Sequence, residues 1–340
     1  MDSRIEGFEY LRAIMSVFVV VWHMGGGGQS LIFFQNNYME HIFSVSDFLN
    51  FHVLLLAVPT FIFISTFLYA AKGHSTTALN KRLKRLLVLL TVWPITFIVY
   101  KSIYNGVFYL QPNSIGSFVV TMVRAGNTIY YFFVCLIICL FVAHFILKLN
   151  NQLQASAFVL SVLVLTSLPA LTKLTGFYPL SAYWSPFNFI PLSVAAVLFA
   201  RNMNYVYSKQ NILLPASLVV CVLFAVFEWR YSVGHIFFAG QGYAIPAYTR
   251  TSLLFSVIAI SIVALNPNIK SNGIIKYMAK YSLALYCLHP FLITPIKQLA
   301  ALFIQNHRVL TYTSILLVIA SSYTIAMLYR RYYLNEGIVS

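Results

Sequence analysis

Ten runs of about twenty apolar residues follow one another along this chain, at roughly 10–30, 48–71, 83–104, 129–147, 155–172, 184–201, 211–229, 248–265, 279–303 and 309–329. About 20 residues of helix cross the hydrocarbon core of a bilayer. Within lipid, only elements that satisfy their own backbone hydrogen bonds can stand. The pattern predicts an all-α fold, a polytopic membrane helical bundle of about ten transmembrane helices. Composition agrees: 9% of the 340 residues are charged, against about 25% in a soluble domain. No stretch reads as a separate soluble domain, so residues 1–340 are taken as a single transmembrane domain. Ser114–Arg124 is too short to span and reads as an interfacial helix.

Charge sets the orientation. Of the 22 Lys and Arg, fifteen fall on the side of the N-terminus and seven on the other, and basic loops stay inside. Both termini are therefore expected in the cytoplasm. The same loops account for the net charge of +15, so the expected partner is membrane lipid and not nucleic acid. The first run is not read as a signal peptide. It contains Arg12 and His23, ends in Gly25–Gly28 and lacks a small-residue cleavage pattern. Cys135, Cys139, Cys221 and Cys287 all lie in apolar runs without metal-ligand spacing beyond one helical pair. They read as core- or lipid-facing thiols, and no metal site is expected.

Several ionisable residues stand out against this apolar background. Arg12 and His23 are eleven residues apart in the first run, a rise of about 16 Å on one helical face. Ionisable groups inside a membrane helix are costly and mark functional sites by default. The glycines after His23 are either a flexible turn or room for a bulky substrate. Asn80-Lys81-Arg82-Leu83-Lys84-Arg85 is the densest basic cluster. It either sets topology and attracts anionic headgroups or seats an anionic cytosolic ligand, with Arg82 and Arg85 sharing a face. Glu228 is the only carboxylate inside a run after the first. It either orients His23, binds a sugar, or pairs with Arg230 or Arg250. His289, before Pro290, is either functional or the mark of a kink whose freed carbonyl the ring binds. Tyr178, Tyr183, Trp184, Trp229 and Tyr231 suit sugar stacking or an interfacial aromatic belt.

At this point the chain resembles the membrane acyltransferases of the acyltransferase-3 type, which acylate sugar hydroxyls. Arg12 and His23 match the family's Arg-and-His spacing in the first span. Pro59-Thr60-Phe61-Ile62-Phe63-Ile64-Ser65-Thr66-Phe67 is similar to its Pro-x-Phe-Phe-x-x-Ser-Gly-Phe pattern, with Thr66 in place of the usual Gly. Arg82 and Arg85 match the arginines that follow. Lys280, Ser282, Tyr286, His289 and Pro290 match a late Lys-x-Ser…Tyr-x-x-His-Pro pattern. The likeness runs from residue 8 to about 330. The acidic central motif of members fused to an esterase-like domain is missing at Asn127–Phe133, and no fused domain is expected before Ser340. This resembles the stand-alone polysaccharide and lipopolysaccharide O-acetyltransferases of the bacterial cytoplasmic (inner) membrane, including those that modify O-antigen.

The resemblance implies a cytosolic acyl-CoA, acetyl-CoA by default, as donor substrate, with no resident cofactor. It also implies a glycan or lipid-linked glycan as acceptor. His23 is then the catalytic base, with Glu228 its candidate aid. Arg12, Arg82, Arg85, Ser65, Tyr286 and His289 form the candidate donor-binding set. An imidazole with a pKa of about 6.5 can take the proton of an attacking hydroxyl. A transporter or flippase for a lipid-linked sugar or other amphiphile is the alternative, although the two related halves common in transporters are not evident. A polysaccharide polymerase would need a longer extracytoplasmic loop than the chain offers.

Overall fold

The computed structural model describes residues 5–26, 49–73, 75–106, 120–122, 124–125, 128–232 and 248–333. Every regular element among them is helical, as predicted. In chain order they are α1 (Glu6–Val21), α2 (Ala57–Ala71), α3 (Thr76–Asn105), α4 (Tyr131–Ile146), α5 (Asn151–Thr175), α6 (Ile190–Arg201), α7 (Met203–Ser208), α8 (Gln210–Ser232), α9 (Thr251–Ala264), α10 (Gly273–Ala301) and α11 (His307–Tyr333). Each predicted apolar run overlaps one of them. Six stretches among the described residues are long and apolar enough to cross a membrane by length and composition: Glu6–Gly25, Leu49–Ala71, Thr76–Asn105, Asn151–Thr175, Gln210–Glu228 and His307–Arg331. Tyr131–Ile146, Pro186–Arg201 and Thr251–Ala264 are apolar but shorter. The expected interfacial helix at Ser114–Arg124 falls mostly outside the described residues, as do Gly27 and Gly28.

Polar residues between the runs cap the helices. Ser75 opens α3 by accepting from Ala78 N at 3.1 Å, and Gly106, at φ 68°, closes it. Asn150 opens α5 on Leu153 N, and Gly176, at φ 66°, ends it. Asn272 opens α10 on Ile275 N. Oxygen at an N-cap and glycine in the left-handed region after the last turn are the least costly ways to satisfy helix ends. The cap at Ser75 starts α3 seven residues before the predicted run, so the whole basic cluster lies inside the helix.

The chain forms two compact units, residues 1–61, 207–220 and 255–340, and residues 62–206 and 221–254. In the first, α10 and α11 pack together and α1 lies against both. Val20, Met24, Tyr281, Leu285, Val318 and Tyr323 form its core. Ser16, fully buried on α1, donates to Ala13 O at 2.7 Å and lies 3.0 Å from Tyr323 Oη. The helical face needs such a contact, because apolar burial drives little association between helices in lipid and polar bonds and close packing take over. At the start of α1, Gly7 touches the end of α9: a Cβ there would lie 2.1 Å from Ala264 O. That approach lets Glu6 accept from Ser271 N and Oγ at 2.6 and 2.9 Å, while Glu9 accepts from Ser271 Oγ.

In the second unit, α4 packs on α3 and α6, and α6 on α5. The end of α4 is closed by side chains from elsewhere. Gln154 Nε2 donates to Ile146 O and Leu149 O at 3.0 and 2.9 Å, and Arg201 donates to Leu147 O and Leu149 O. Ser193 Oγ donates to Cys139 O at 2.7 Å, tying α6 to α4.

Candidate functional site

Arg12 and His23 lie on one continuous helical segment. Nine of the eleven steps between them are α-helical; His23 itself falls in a π-turn, Trp22–Gly26. A single wider turn shifts the facing of its side chain only slightly, so the shared face survives. π-turns inside α-helices concentrate at functional sites. Arg12 is half-buried, whereas His23 is open on one side. Trp22 meets Phe51 edge-on at 6.3 Å, and Phe51 belongs to a second π-turn, Leu49–Val53. In that turn Asn50 is fully buried, and neither of its side-chain amide atoms is bonded among the described residues.

The late motif comes to the same place. His289 on α10 sets its ring 5.2 Å from that of His23, centroid to centroid, with 35° between the planes. His289 is fully buried, and its Nδ1 lies 3.1 Å from Leu285 O, one turn earlier in the helix. The ring binds a carbonyl, though not the one that the proline frees. The carbonyl is that of Leu285, the neighbour of Tyr286, whose own helical donor Pro290 removes. Tyr286 sits 6.0 Å from the His289 ring and is buried. His23, Tyr286 and His289 are thus brought together in the first unit.

Ser65, Arg82 and Arg85 belong to the second unit. Arg82 turns its fork onto the last turns of α2: Nη1 donates to Ser65 O at 3.1 Å and Nη2 to Leu68 O at 3.3 Å. Its guanidinium also lies 5.4 Å from the ring of Tyr69, whose hydroxyl is 2.7 Å from His144 Nδ1. Ser65 therefore takes part through its backbone. Leu68 O stands in the last turn, where carbonyls lack an intrahelical donor and a guanidinium suits them in geometry and charge, while Ser65 O accepts Arg82 one turn inside the helix. Three of its five N–H groups remain beyond these two bonds. Arg85, one turn on, is exposed. Thr66, where the family pattern has Gly, folds its hydroxyl back onto Ile62 O and Phe63 O at 2.7 and 3.0 Å, so the departure leaves no buried donor unmet.

Glu228, also of the second unit, is 3% exposed. Ser252 N donates to its Oε1 at 2.9 Å, and Ser252 Oγ donates to Oε2. Ser252 stands in the first turn of α9, so the carboxylate caps that helix from outside, where the helix dipole favours negative charge. The charge of Arg250, itself buried, acts on it as well. These surroundings are those of an anchor for α9. Trp184 is buried under the Arg124 guanidinium at 5.7 Å, which removes it from both the sugar-stacking and the belt readings. Tyr178 and Tyr183 are exposed, while the side chains of Trp229 and Tyr231 lie outside the described residues.

The Tyr69–His144 pair and Asn50 escaped the sequence reading. For His144 the signal was there: a histidine inside an apolar run, as informative as His23 but without a partner at a telling spacing.

Residues 5–331 match the model of a family described as an acyltransferase domain, of the acyltransferase-3 type. The chain is similar to the "Probable poly-beta-1,6-N-acetyl-D-glucosamine export protein" of Staphylococcus aureus strains MSSA476 and MW2. Each is 22% identical over 355 residues, covering 97% of this chain and 94% of the relative. No solved structure matches significantly.

Proposed function

The chain belongs to the acyltransferase-3 family of membrane acyltransferases, and from that premise we propose that it moves an acyl group, acetyl by default, from cytosolic acyl-CoA to a hydroxyl of a cell-surface or lipid-linked glycan. His23 is the general base. The hydroxyl proton passes to a ring nitrogen of His23 as the oxygen attacks the thioester carbonyl. The carbon–sulfur bond breaks, and the leaving CoA sulfur recovers that proton from His23. No acyl-enzyme forms. Arg12 takes part in holding the anionic donor, and Arg82 and Arg85 keep the donor-binding role that the sequence pattern implies for them. Ten spans with both termini in the cytoplasm put Arg12 at the donor's side and His23 about 16 Å deeper, a distance a pantetheine arm can bridge. The protein then sits in a bacterial cytoplasmic membrane.

One observation carries this reading: an ionisable side chain, open on one side, in a π-turn on the helix that also bears Arg12, with a second imidazole beside it. The test uses the full chain in lipid nanodiscs, with acetyl-CoA and a β-1,6-linked N-acetylglucosamine oligosaccharide, following free CoA thiol. His23→Ala is expected to reach the membrane at the normal level and to lose acceptor-dependent CoA release by roughly 10²–10⁴-fold. Undiminished release would remove His23 from the mechanism.

A second reading is export of a glycan, favoured by the name of the Staphylococcus aureus relatives. An exporter moves the oligosaccharide across a vesicle membrane without consuming acetyl-CoA, so the same thiol assay separates the two.

A further inference from the structure

His289 has a polar atom that no described residue uses. Its ring is inaccessible, and Nε2 has no hydrogen-bond partner among the described residues. A buried acceptor left unmet is rare and calls for an explanation. The protons of the ring can be placed by chemistry. Nδ1 faces Leu285 O, and a carbonyl oxygen only accepts, so Nδ1 carries the hydrogen. In the neutral ring Nε2 is then a bare lone pair. The helix fixes this tautomer, because donor and acceptor are one turn apart on α10.

The nearest imidazole is His23, with ring centroids 5.2 Å apart. Two imidazoles joined edge to edge by an N–H···N bond have centroids about 5 Å apart, a hydrogen bond of roughly 3 Å plus the radius of each ring. We propose that His289 is a positioning residue for His23: its Nε2 accepts one N–H of His23, fixes which nitrogen of His23 faces the acceptor hydroxyl, and shares the charge when His23 is protonated. This rests on the transferase reading, and it gives His289 a role apart from donor binding.

The proton balance is simple. As the rings stand, the bond is not made; in the working pair the His23 ring turns so that its single N–H reaches His289 Nε2, leaving its other nitrogen bare to take the proton. When that nitrogen takes the hydroxyl proton, His23 carries two N–H groups, and the one facing His289 becomes a charge-assisted donor. CoA sulfur later removes the newly gained proton, and the pair returns to its starting state. His289 neither gains nor loses a proton over the cycle. The arrangement follows the general logic in which a base is oriented by a third group that fixes its tautomer, with a neutral imidazole as orienter in place of a carboxylate. Tyr286 and the Leu285 carbonyl hold His289 as His289 holds His23. The π-turn at Trp22–Gly26 gives His23 the backbone that lets its ring meet a partner on α10.

The test compares His289→Phe, which keeps a ring but removes the acceptor, with His289→Gln, whose amide oxygen can stand near the position of Nε2. Both are studied as the full chain in nanodiscs with acetyl-CoA and the β-1,6-linked oligosaccharide. His289→Phe is expected to lower kcat about 10- to 100-fold with KM for acetyl-CoA unchanged, and His289→Gln to recover part of that loss. A raised KM for acetyl-CoA at unchanged kcat would overturn the proposal and return His289 to the donor-binding set. A second readout needs no turnover. In protein labelled with ¹⁵N-histidine, with the His23 signals assigned by their loss in His23→Ala, the wild type should show a single His23 tautomer and His289→Phe a mixture. An unchanged His23 tautomer in His289→Phe would equally overturn it. If the tautomer responds while the wild type releases no CoA, the failure falls on the transferase reading and not on the histidine pair.

Discussion

Gly7→Ala tests whether the first helix is seated as described. The new Cβ would lie 2.1 Å from Ala264 O and 2.7 Å from both Ala264 C and Cα. All three atoms are backbone, so no side chain can rotate away, and α1 and the end of α9 must separate by about 1 Å to reach van der Waals contact. Overpacking of this kind costs about 1–3 kcal/mol. The displacement also pulls Glu9, 5% exposed, from Ser271 Oγ, and a hydrogen bond to a buried charge adds about 1.5–3 kcal/mol. A total loss of about 2.5–6 kcal/mol is large against the stability of a typical domain. Gly273→Ala is the control, since nothing lies within 4 Å of its Cβ position and it opens a helix. There alanine should be neutral or slightly stabilising. The assay is thermal unfolding of both variants in detergent, with membrane abundance measured alongside. If Gly7→Ala unfolds within a degree of wild type, the close approach of α1 to Ala264 is wrong, and so is the seating of Glu6 and Glu9.

Arg82→Lys replaces a fork by a point charge and cannot reach both Ser65 O and Leu68 O. Without any donor present it should lower stability by about 1–2 kcal/mol, whereas exposed Arg85→Ala should leave stability within about 0.5 kcal/mol and weaken only the binding of a CoA analogue. Unchanged apo stability in Arg82→Lys would mean that its carbonyl bonds contribute nothing. Single cysteines at Ser75 and Gly106, in a variant lacking the native four, stand at opposite ends of α3. The Gly106 cysteine should react with an impermeant thiol reagent in intact cells and the Ser75 cysteine only after permeabilisation; labelling from one side would refute the charge-based topology.

The helical class and the position of each long element could be read directly, because lipid enforces one periodicity and one length. Helix boundaries were less legible. Ser75 shows why: a cap and a basic turn extend α3 seven residues beyond the apolar run, and hydropathy cannot see either. Within the site, the Arg12–His23 spacing was readable because both residues share one helix. The His23–His289 approach was not, since it joins residues 266 positions apart and depends on how α1 packs on α10. Arg82 looked like a free phosphate ligand for the same reason: only the fold reveals that the end of α2 already occupies two of its donors. Glu228 carried too little local signal to choose among orienting His23, binding a sugar and pairing with an arginine, because the donor that meets both its oxygens, Ser252, lies 24 residues away.

Helix α8 bears on how this chain can diverge. Along Gln210–Glu228 only 6% of the most apolar window is buried in protein, against 78% for Leu49–Ala71. Placed across a bilayer, such a surface would face acyl chains, which distinguish oil from water and little else. Leu, Val, Ile and Phe are nearly interchangeable there, so substitutions accumulate without touching the fold. Sequence drift should run fastest on such outward helices and slowest where side chains meet one another, around Ser16, His289 and the end of α2. An alignment that spans almost the whole chain at 22% identity suits a protein of this build, in which hydropathy can persist over a length where few letters do.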